Sequence, residues 1–397
     1  MTMTTPELTK DAVEEILCRV PATNLKRLRC TCKQWNRLFK DDERFAREHC
    51  DKAAKEVLAL MLTEKYRICP TSVNLNGDVP SVEVKSGLSL PDPHFNNSCQ
   101  FDIAGVFHCD GLLLCTHEGT PRYGSQIVVW NPFTGQTRWI ESGNRCKEGK
   151  RFVLGYYYQD KNKSCSKSYK VLCLSPFGND TEIYELNSDS WRTIPDGEIT
   201  PGYYISDSGH MVSLKGNTYW FAREIAKPHL GISLLGFDFQ TEKSSSFCLP
   251  LPYQGPLYEI LSLSVVREEK LSVFIQPDYT SKTEIWVTSK IDNTTTKGAV
   301  SWTKVLSLDL NPDLQITDQV KFLLDEEKKI VLCCERWMVM EDETKSFDKI
   351  FILGEDNKVI EVSFGVGITE GCWPAILNYV PSLARIELAG GKRKRGD

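Results

Sequence analysis

The sequence predicts an α+β multidomain protein, in which a small N-terminal helical module precedes an all-β, propeller-like domain of about six blades. Apolar residues recur at helical spacing over residues 8–60. From about residue 97 short runs rich in Val, Ile, Tyr, Phe and Trp alternate with polar turns. These runs repeat roughly every 50 residues, which is typical of propeller blades. We therefore expect a helical module at 1–50, a β domain at 51–390 and a flexible basic tail at 391–397.

The composition is typical of a folded protein, and we expect neither a secretory signal nor a membrane span. The chain has 397 residues, of which 41% are hydrophobic and 25% charged, and its net charge is −5. The sequence has no apolar run long enough for a membrane span and no N-terminal secretory signal. Its 15 cysteines lack CxxC spacing, so we expect reduced thiols.

Four helices are expected in the module. Asp11, with Glu14 three residues later, is expected to cap the first helix, and Pro21 to end it. Thr23 is the expected cap of a second helix, and Thr31 with Gln34 that of a third. A fourth helical stretch is expected from about Asp42, with apolar positions at Phe45, Val57, Leu58 and Met61. Because the module is too small to bury much surface alone, it is expected to pack against something else.

Five repeat units follow, each with paired strands around a polar turn. The expected strand runs are 111–116 and 127–140, 168–174 and 182–194, 210–222 and 234–250, 271–276 with 284–290 and 301–308, and 329–335 and 350–364. One large apolar residue recurs in each unit: Trp130, Tyr184, Phe237, Trp286 and Phe351. The run at 56–62 and the end at 377–388 are expected to supply strands of a sixth, closing blade.

The basic stretch at 22–40 raises the question of whether the module binds nucleic acid or protein. It contains six Lys or Arg residues and no acidic residue. The first helix, however, carries Asp11, Glu14 and Glu15, which would repel a polyanion. An apolar face suits docking to a helical protein better. Its expected members are Val13, Ile16, Leu17, Val20, Leu25, Leu28 and Trp35.

Residues 8–21 (LTKDAVEEILCRVP) and 25–35 (LKRLRCTCKQW) resemble an F-box. The resemblance implies binding to a Skp-family adaptor and, through it, to a cullin–RING ubiquitin ligase. It adds Leu8, Asp11 and Pro21 to the expected adaptor contacts. Thr9, Ala12 and Asn24 stand where the family usually has Pro, Leu and Ser.

The rest of the chain resembles the F-box-associated, kelch-like interaction domain of a large plant family of F-box proteins. The segments that carry this resemblance are CDGLLLC (109–115), VVWNPFTGQTRWI (128–140), LGYYYQDKNKSCSKSYKVL (154–172), YELNSDSWRTI (184–194) and NYVPSL (378–383). The resemblance implies a non-catalytic substrate-recognition subunit with an unknown protein substrate. No cofactor, metal, nucleic acid or membrane partner is expected. The alternative is a glycan- or ligand-binding propeller with a degenerate F-box.

Several motifs have a structural and a functional interpretation. His108, Cys109, Cys115 and His117 suit two strands around an Asp110-Gly111 turn better than a zinc site. Of Cys333 and Cys334, one thiol is expected in the core and the other half-exposed. Tyr156–158 and Tyr203–204 are either core residues or a substrate platform on one propeller face.

KRKR (392–395) is either a nuclear import signal or a solubilising tail, and the expected location is the nucleus, the cytoplasm or both.

Overall fold

The computed structural model describes residues 8–63, 65–74, 81–94, 99–117, 126–145, 150–159, 167–176, 180–195, 199, 202–205, 210–227, 229, 231–250, 258–277, 282–291, 300–310, 314, 316–317, 319–338, 345–368 and 372–386. Four helices are followed by six antiparallel sheets, five of four strands and one of five. The predicted helical module and six-bladed propeller are therefore confirmed. The basic tail lies outside the described residues.

The helices are α1 (Lys10–Leu17), α2 (Ala22–Leu28), α3 (Lys33–Asp41) and α4 (Glu43–Lys52). The start of the fourth helix expected at about Asp42 is confirmed, and the Asp42 carboxylate caps α4 by accepting a bond of 2.8 Å from Phe45 N. The predicted extension of this helix toward Leu58 and Met61 is wrong, since both residues belong to the first strand.

The three caps that the sequence predicts are wrong. Thr9, rather than Asp11, caps α1 by accepting a bond from Ala12 N at 3.3 Å. Thr23 lies inside α2, where Pro21 precedes the first helical residue. Thr31 donates to Leu28 O at 2.7 Å, at the end of α2, and Cys32 precedes α3 without a side-chain cap. Each predicted cap lies a residue or two from the true start of its helix. Several polar residues near each start could cap the helix, and the sequence pattern does not show which one does.

The strands form blades in chain order, apart from the first. Blade 1 contains β1 (Leu58–Thr63), β2 (Arg67–Asn74), β3 (Ser81–Val84) and, paired to β1, β25 (Ala375–Tyr379). Blade 2 contains β4 (Gly105–Cys109), β5 (Leu112–Thr116), β6 (Gln126–Trp130) and β7 (Thr137–Glu141). Blade 3 contains β8 (Arg151–Tyr158), β9 (Lys167–Leu174), β10 (Glu182–Glu185) and β11 (Ser190–Thr193).

Blade 4 contains β12 (Tyr203–Ile205), β13 (Met211–Leu214), β14 (Asn217–Glu224), β15 (Ile232–Asp238) and β16 (Lys243–Phe247). Here β12 and β13 pair with successive parts of β14. Blade 5 contains β17 (Tyr258–Val266), β18 (Lys270–Pro277), β19 (Lys282–Thr288) and β20 (Trp302–Asp309). Blade 6 contains β21 (Lys321–Asp325), β22 (Ile330–Met338), β23 (Lys345–Gly354) and β24 (Val359–Ile368).

The repeated large residue of each unit lies on the third strand of its blade. Trp130, Tyr184 and Phe237 are buried on β6, β10 and β15, and Phe351 is buried on β23. Trp286 on β19 is half-buried. Central strands of a blade are covered on both faces by neighbouring blades, so a large apolar residue at this position fills the space between sheets.

Coverage on both faces also corrects the prediction for the cysteine pair. Cys333 and Cys334 are both buried on β22. Cys333 packs between blades 5 and 6, whereas Cys334 packs with Met61 between blades 6 and 1. A period-two pattern marks one buried face, but it cannot show that a second sheet covers the other face.

The two ends of the domain close the ring together. β1 pairs with β25 from Leu58↔Tyr379 to Leu62↔Ala375, as predicted for the sixth blade. Without this pairing β25 would lack a neighbouring strand within its blade, and β1 would present an open edge. Closure therefore depends on chain segments more than 300 residues apart.

The propeller has two distinguishable sides. One, which we call the turn side, carries short turns such as Asp110-Gly111 and Lys215-Gly216, which join the first two strands of blades 2 and 4. Tyr156 N donates to Gly216 O across this side. The opposite, loop side carries the connections between blades. Because β1 starts and β25 ends at the turn side, the helical module lies there.

A clasp on the turn side holds the segment after β25, residues 380–386. Ser382 Oγ donates to Asp110 O at 2.7 Å, and Tyr379 Oη donates to Gly111 O at 3.1 Å. The fully buried Asn131 donates to Ser382 O at 3.1 Å and to Ala384 O at 2.9 Å. A buried side-chain amide without hydrogen-bond partners would lower the free energy of unfolding, so these bonds hold residues 380–386 in place.

The same turn also fastens blade 2 to blade 3. Asp110 accepts bonds from Lys167 Nζ at 2.9 and 3.0 Å and from Tyr169 Oη at 2.6 Å. The Lys167 ammonium lies 4.4 Å from the centre of the Tyr156 ring. Despite burial, the Asp110 carboxylate keeps the pKa of Lys167 well above its usual range. The ion pair therefore stays charged at neutral pH.

Gly111→Ala is expected to destabilise the protein much more than Gly135→Ala. Both glycines have positive φ, of 77° and 80°. A Cβ at Gly111 would lie 2.3 Å from Ser382 Oγ and 2.8 Å from Val380 O, whereas a Cβ at Gly135 would meet nothing within 4 Å. We expect about 3 kcal/mol of lost unfolding free energy at Gly111 against about 1 at Gly135. Urea unfolding measures both, and equal losses would show that the clasp tolerates displacement.

A fragment that starts at residue 46 is expected to be soluble and to melt cooperatively, whereas one that starts at residue 70 is not. The first retains β1 and with it the closed ring. The second leaves β25 unpaired and opens a sheet edge. Expression trials followed by thermal melting monitored by circular dichroism separate them. A cooperatively melting fragment from residue 70 would disprove the closing role of β1.

Candidate functional site

The helical module has its own small core, completed by the propeller. Its buried apolar residues are Leu17, Cys18, Leu25, Phe39, Phe45 and Ala46, together with Leu383 from the clasped segment. Phe133, from the β6–β7 turn, packs against them. Arg385 also donates to Lys40 O at 2.8 Å. The module was expected to pack against something else, and the structure shows that this is the turn side of the propeller.

The last helix ties the module together. His49 Nε2 lies 2.8 Å from Val20 O, so it joins α4 to the turn between α1 and α2. Burial lowers the pKa of His49, so the imidazole is neutral at pH 7 and donates through Nε2. Cys50, one residue later, packs against the propeller core, and its burial raises its thiol pKa to about 12. α4 therefore contacts both domains.

Acidic residues of α1 are paired within the module. Glu14 forms an ion pair with Arg44 of α4, and Glu15 is 2.9 Å from Lys52. Arg19, in the turn after α1, lies 2.8 Å from Glu15. Each ion pair is partly exposed and adds little to the free energy of unfolding. The pairs with Arg44 and Lys52 also link α1 to α4. The basic side chains Lys26, Arg27, Lys33, Arg37 and Lys40 remain on the surface.

The structure divides the expected adaptor contacts into three groups. Leu8 (65% exposed), Ile16 (52% exposed) and Asp11 are on the surface. Half-buried positions are Val13, Val20, Pro21, Leu28 and Trp35. Leu17 and Leu25 are buried in the module's core. Helical spacing alone placed inward and outward residues in one set, whereas the structure leaves the buried Leu17 and Leu25 off the surface.

Thr9 also has a clear local role. Its side chain caps α1, a bond that the proline usual at this position in the family could not make. Ala12, on the same turn of α1, is half-buried and presents a smaller apolar surface than leucine.

The loop side of the propeller lies opposite the module and carries two exposed large hydrophobic residues. Ile225 (53% exposed) follows β14, and Trp373 (49% exposed) precedes β25. The Trp373 ring lies 5.5 Å from the Arg336 guanidinium, which is buried and bonded to Asp348 at 2.9 Å. This buried ion pair gives the indole a firm support.

The two tyrosine runs do not form one platform. Tyr156–158 end β8 at the turn side, where Tyr158 N donates to Gln240. Tyr203 and Tyr204 begin β12 at the loop side, paired with Glu224 and Arg223. All five tyrosines are half-buried. Sequence could not assign them to opposite sides, because the side depends on the direction of each strand through its blade.

The HCDGLLLCTH segment forms the predicted two strands around a turn. Asp110 and Gly111, both with positive φ, join β4 to β5. Cys109 and Cys115 are buried, which raises the pKa of each thiol far above its usual value. Within the described residues no three His, Cys, Asp or Glu side chains are grouped to hold a metal ion.

In the part of the chain that the structure describes, we find no helix with both the length and the apolar character needed to span a membrane.

Comparison with known proteins assigns both regions. Residues 6–47 match the model of the F-box domain, and residues 58–386 match that of the F-box associated beta propeller domain. The F-box protein ETP1 of Arabidopsis thaliana is 64% identical over 417 aligned positions, covering 100% of both chains. The F-box protein ETP2 of the same plant is 54% identical and covers 98% of each chain. An F-box/kelch-repeat protein of this plant is 55% identical, over 99% of this chain and 100% of its own.

Proposed function

This chain belongs to the F-box proteins that carry an F-box associated β-propeller domain, and on that premise we propose that it is the substrate-recognition subunit of a Skp–cullin–F-box ubiquitin ligase. One observation carries the proposal: the F-box is seated on the turn side of the propeller, and none of the four described helices lies on the loop side. An adaptor bound to the F-box and a substrate bound to the loop side would therefore not compete for space.

The proposed role requires proximity rather than chemistry from this chain. A substrate held on the propeller is kept near the ubiquitin carrier of the ligase, which raises the effective concentration of its lysines. The shared core at Leu383 and Phe133 supports this role, because it couples the two binding regions as one body. The proposal assigns no catalytic step and no cofactor to this protein.

The adaptor-binding surface that we propose centres on the exposed face of α1. Leu8 and Ile16 provide its apolar contacts, with the half-buried Val13 and Val20 beside them. Asp11 adds a negative charge at the helix start. Apolar side chains that become buried when a partner binds contribute most of the free energy of helix docking. Trp35, Leu17 and Leu25 support the surface from below.

Ile16→Ala is expected to weaken binding to a purified Skp-family adaptor by on the order of 2 kcal/mol, or roughly 30-fold in Kd. Ile225→Ala is the matched control, because it removes the same atoms at nearly the same exposure on the loop side. Isothermal titration calorimetry measures both. Binding that survives Ile16→Ala but is lost in moderate salt would move the contact to the basic surface of α2 and α3. Failure of the wild-type protein to bind at micromolar concentration would favour a ligand-binding propeller with a degenerate F-box.

We propose that the protein acts in the nucleus, the cytoplasm or both. The support is the KRKR sequence at 392–395, a cluster of the kind that nuclear import receptors recognise. A fluorescent fusion that lacks residues 391–397 is expected to lose nuclear signal relative to the full chain. An unchanged distribution would leave the tail a solubilising role only.

A further inference from the structure

One side of α3 carries a row of basic residues that the proposed function does not use. Lys33, Arg37 and Lys40 are exposed, and they lie at i, i+4 and i+7, so they share one side of the helix. The apolar residues of the helix lie on the opposite side and pack in the core of the module: Trp35, Leu38 and Phe39. The basic row is therefore carried by a packed helix and is exposed to solvent.

Two further arginines extend this row beyond α3. Arg29, which follows α2, donates from Nε to Asn36 Oδ1 at 3.3 Å, and Asn36 lies on the same side of α3 as the basic row. Arg385, from the segment after β25, donates to Lys40 O at 2.8 Å. Hydrogen bonds thus hold one arginine beside the middle of the helix and another at its end. We call Arg29, Lys33, Arg37, Lys40 and Arg385 the basic stripe.

The basic stripe has no counter-ion in the part of the chain that the structure describes. None of its five side chains lies within ion-pair distance of a carboxylate there, whereas other cations of the module are paired, Arg44 with Glu14 and Lys52 with Glu15. Residues 387–397, which continue the chain from this point, contain four basic and two acidic residues in the sequence. They therefore bring no net negative charge to the stripe.

The stability of α3 does not account for the basic stripe. Lys33 is the first residue of the helix, and the first turn holds no acidic residue. A cation at this end is unfavourable, because the helix dipole places partial positive charge there. Lys33 and Arg37 are also like charges four residues apart, which destabilises the helix further. A binding role explains the placement, since an anionic partner would offset this repulsion.

The surroundings of the stripe favour an acidic polypeptide over a nucleic acid or a membrane. Asp41 and Glu43 are exposed directly after it and would repel a phosphate backbone that continued past the helix. None of the exposed large hydrophobic residues among those described belongs to α2 or α3. The stripe therefore offers neither an aromatic surface for stacking bases nor apolar side chains for insertion into lipid.

The length of the stripe also fits a short peptide segment. From Lys33 to Lys40 the helix rises about 10 Å, which equals about three residues of extended chain. A few acidic residues in extended conformation therefore cover the cations of α3 and end before Asp41.

We propose that the basic stripe is a docking surface for a segment of a partner protein that is rich in Asp and Glu. The three arginines pair with carboxylates through their guanidinium groups, and the two lysines add point charges. Because exposed charges are screened by salt, such a surface raises the association rate and the specificity more than the affinity. The stripe lies on α3 and the proposed adaptor surface on α1, so this inference does not depend on the ligase role.

Fluorescence polarisation of a labelled deca-glutamate peptide, titrated with the full chain at low salt, tests the docking surface. The triple variant Lys33→Gln, Arg37→Gln, Lys40→Gln is expected to weaken peptide binding about tenfold, because it removes three exposed charge contacts. Binding by the wild type is expected to weaken steadily as salt is added. Absence of peptide binding by the wild type at low salt would overturn the proposal.

The matched control is a second triple variant, Lys85→Gln, Lys282→Gln, Lys328→Gln. It removes the same total charge from exposed lysines that are distributed over blades 1, 5 and 6. It is expected to bind the peptide as the wild type does. Equal weakening by the two triple variants would show that only the net charge of the chain matters, and would exclude a site on α3.

Two further variants separate charge from folding. The charge-preserving variant Lys33→Arg, Arg37→Lys, Lys40→Arg is expected to retain peptide binding, and loss of binding in it would contradict an electrostatic role. Arg29→Gln lies outside the helix and is expected to weaken binding about twofold. It tests the stripe independently should circular dichroism show that the first triple variant does not fold.

Two competing polyanions test the class of partner. A single-stranded oligothymidine of the same charge as the peptide and vesicles containing phosphatidylserine are titrated at the same ionic strength. Both are expected to bind more weakly than the peptide. Tighter binding of the oligonucleotide or of the vesicles, lost in the first triple variant, would overturn the proposal in favour of a nucleic acid or a membrane surface.

Discussion

The rest of the structure depends on how the segment after β25 is held across the turn side. Ring closure brings Tyr379 beside Leu58, and the chain then passes the Asp110-Gly111 turn and Asn131 before it reaches the helices. Each bond in this clasp joins the last part of the propeller to blade 2. Leu383, fixed by those bonds, completes the core of the F-box. β25 thus closes the ring, and the short segment that follows it seats the module.

This arrangement gives a structural role to residues in several of the motifs that resemble family signatures. Gly111 is required because any side chain there would meet Ser382 and the backbone of Val380. Asn131 uses its amide on the clasped segment while its carbonyl oxygen accepts from Phe133 N and Thr134 N, which also positions Phe133 beneath the helices. The CDGLLLC, WNPFTG and NYVPSL segments, which resemble family signatures, meet at this one junction.

The two sides of the propeller are consequently unlike. On the turn side, Asp110, Lys167 and Glu242 are neutralised by specific partners, Glu242 by Lys170 and Arg192. At the loop-side end of the axis, Lys321 Nζ lies 2.9 Å from His210 Nδ1. The Trp373 ring, beside the buried Arg336–Asp348 pair, belongs to the same side.

By itself the sequence determined the helical module, the repeating blades, the recurring large residue of each third strand and the partnership of the two chain ends. The helices, the blades and the recurring residue follow from periodicity, which is a local property of the sequence. The partnership of the chain ends follows from the need to cover sheet edges, which is a matter of topology. Tertiary structure alone decided that Leu17 and Leu25 face inward while Ile16 faces solvent, and that Cys334 is as buried as Cys333. It also decided that the tyrosine runs lie on opposite sides and that Lys321 meets His210. The physical reason is that burial and charge compensation depend on neighbours far away in the chain, which a local pattern cannot identify.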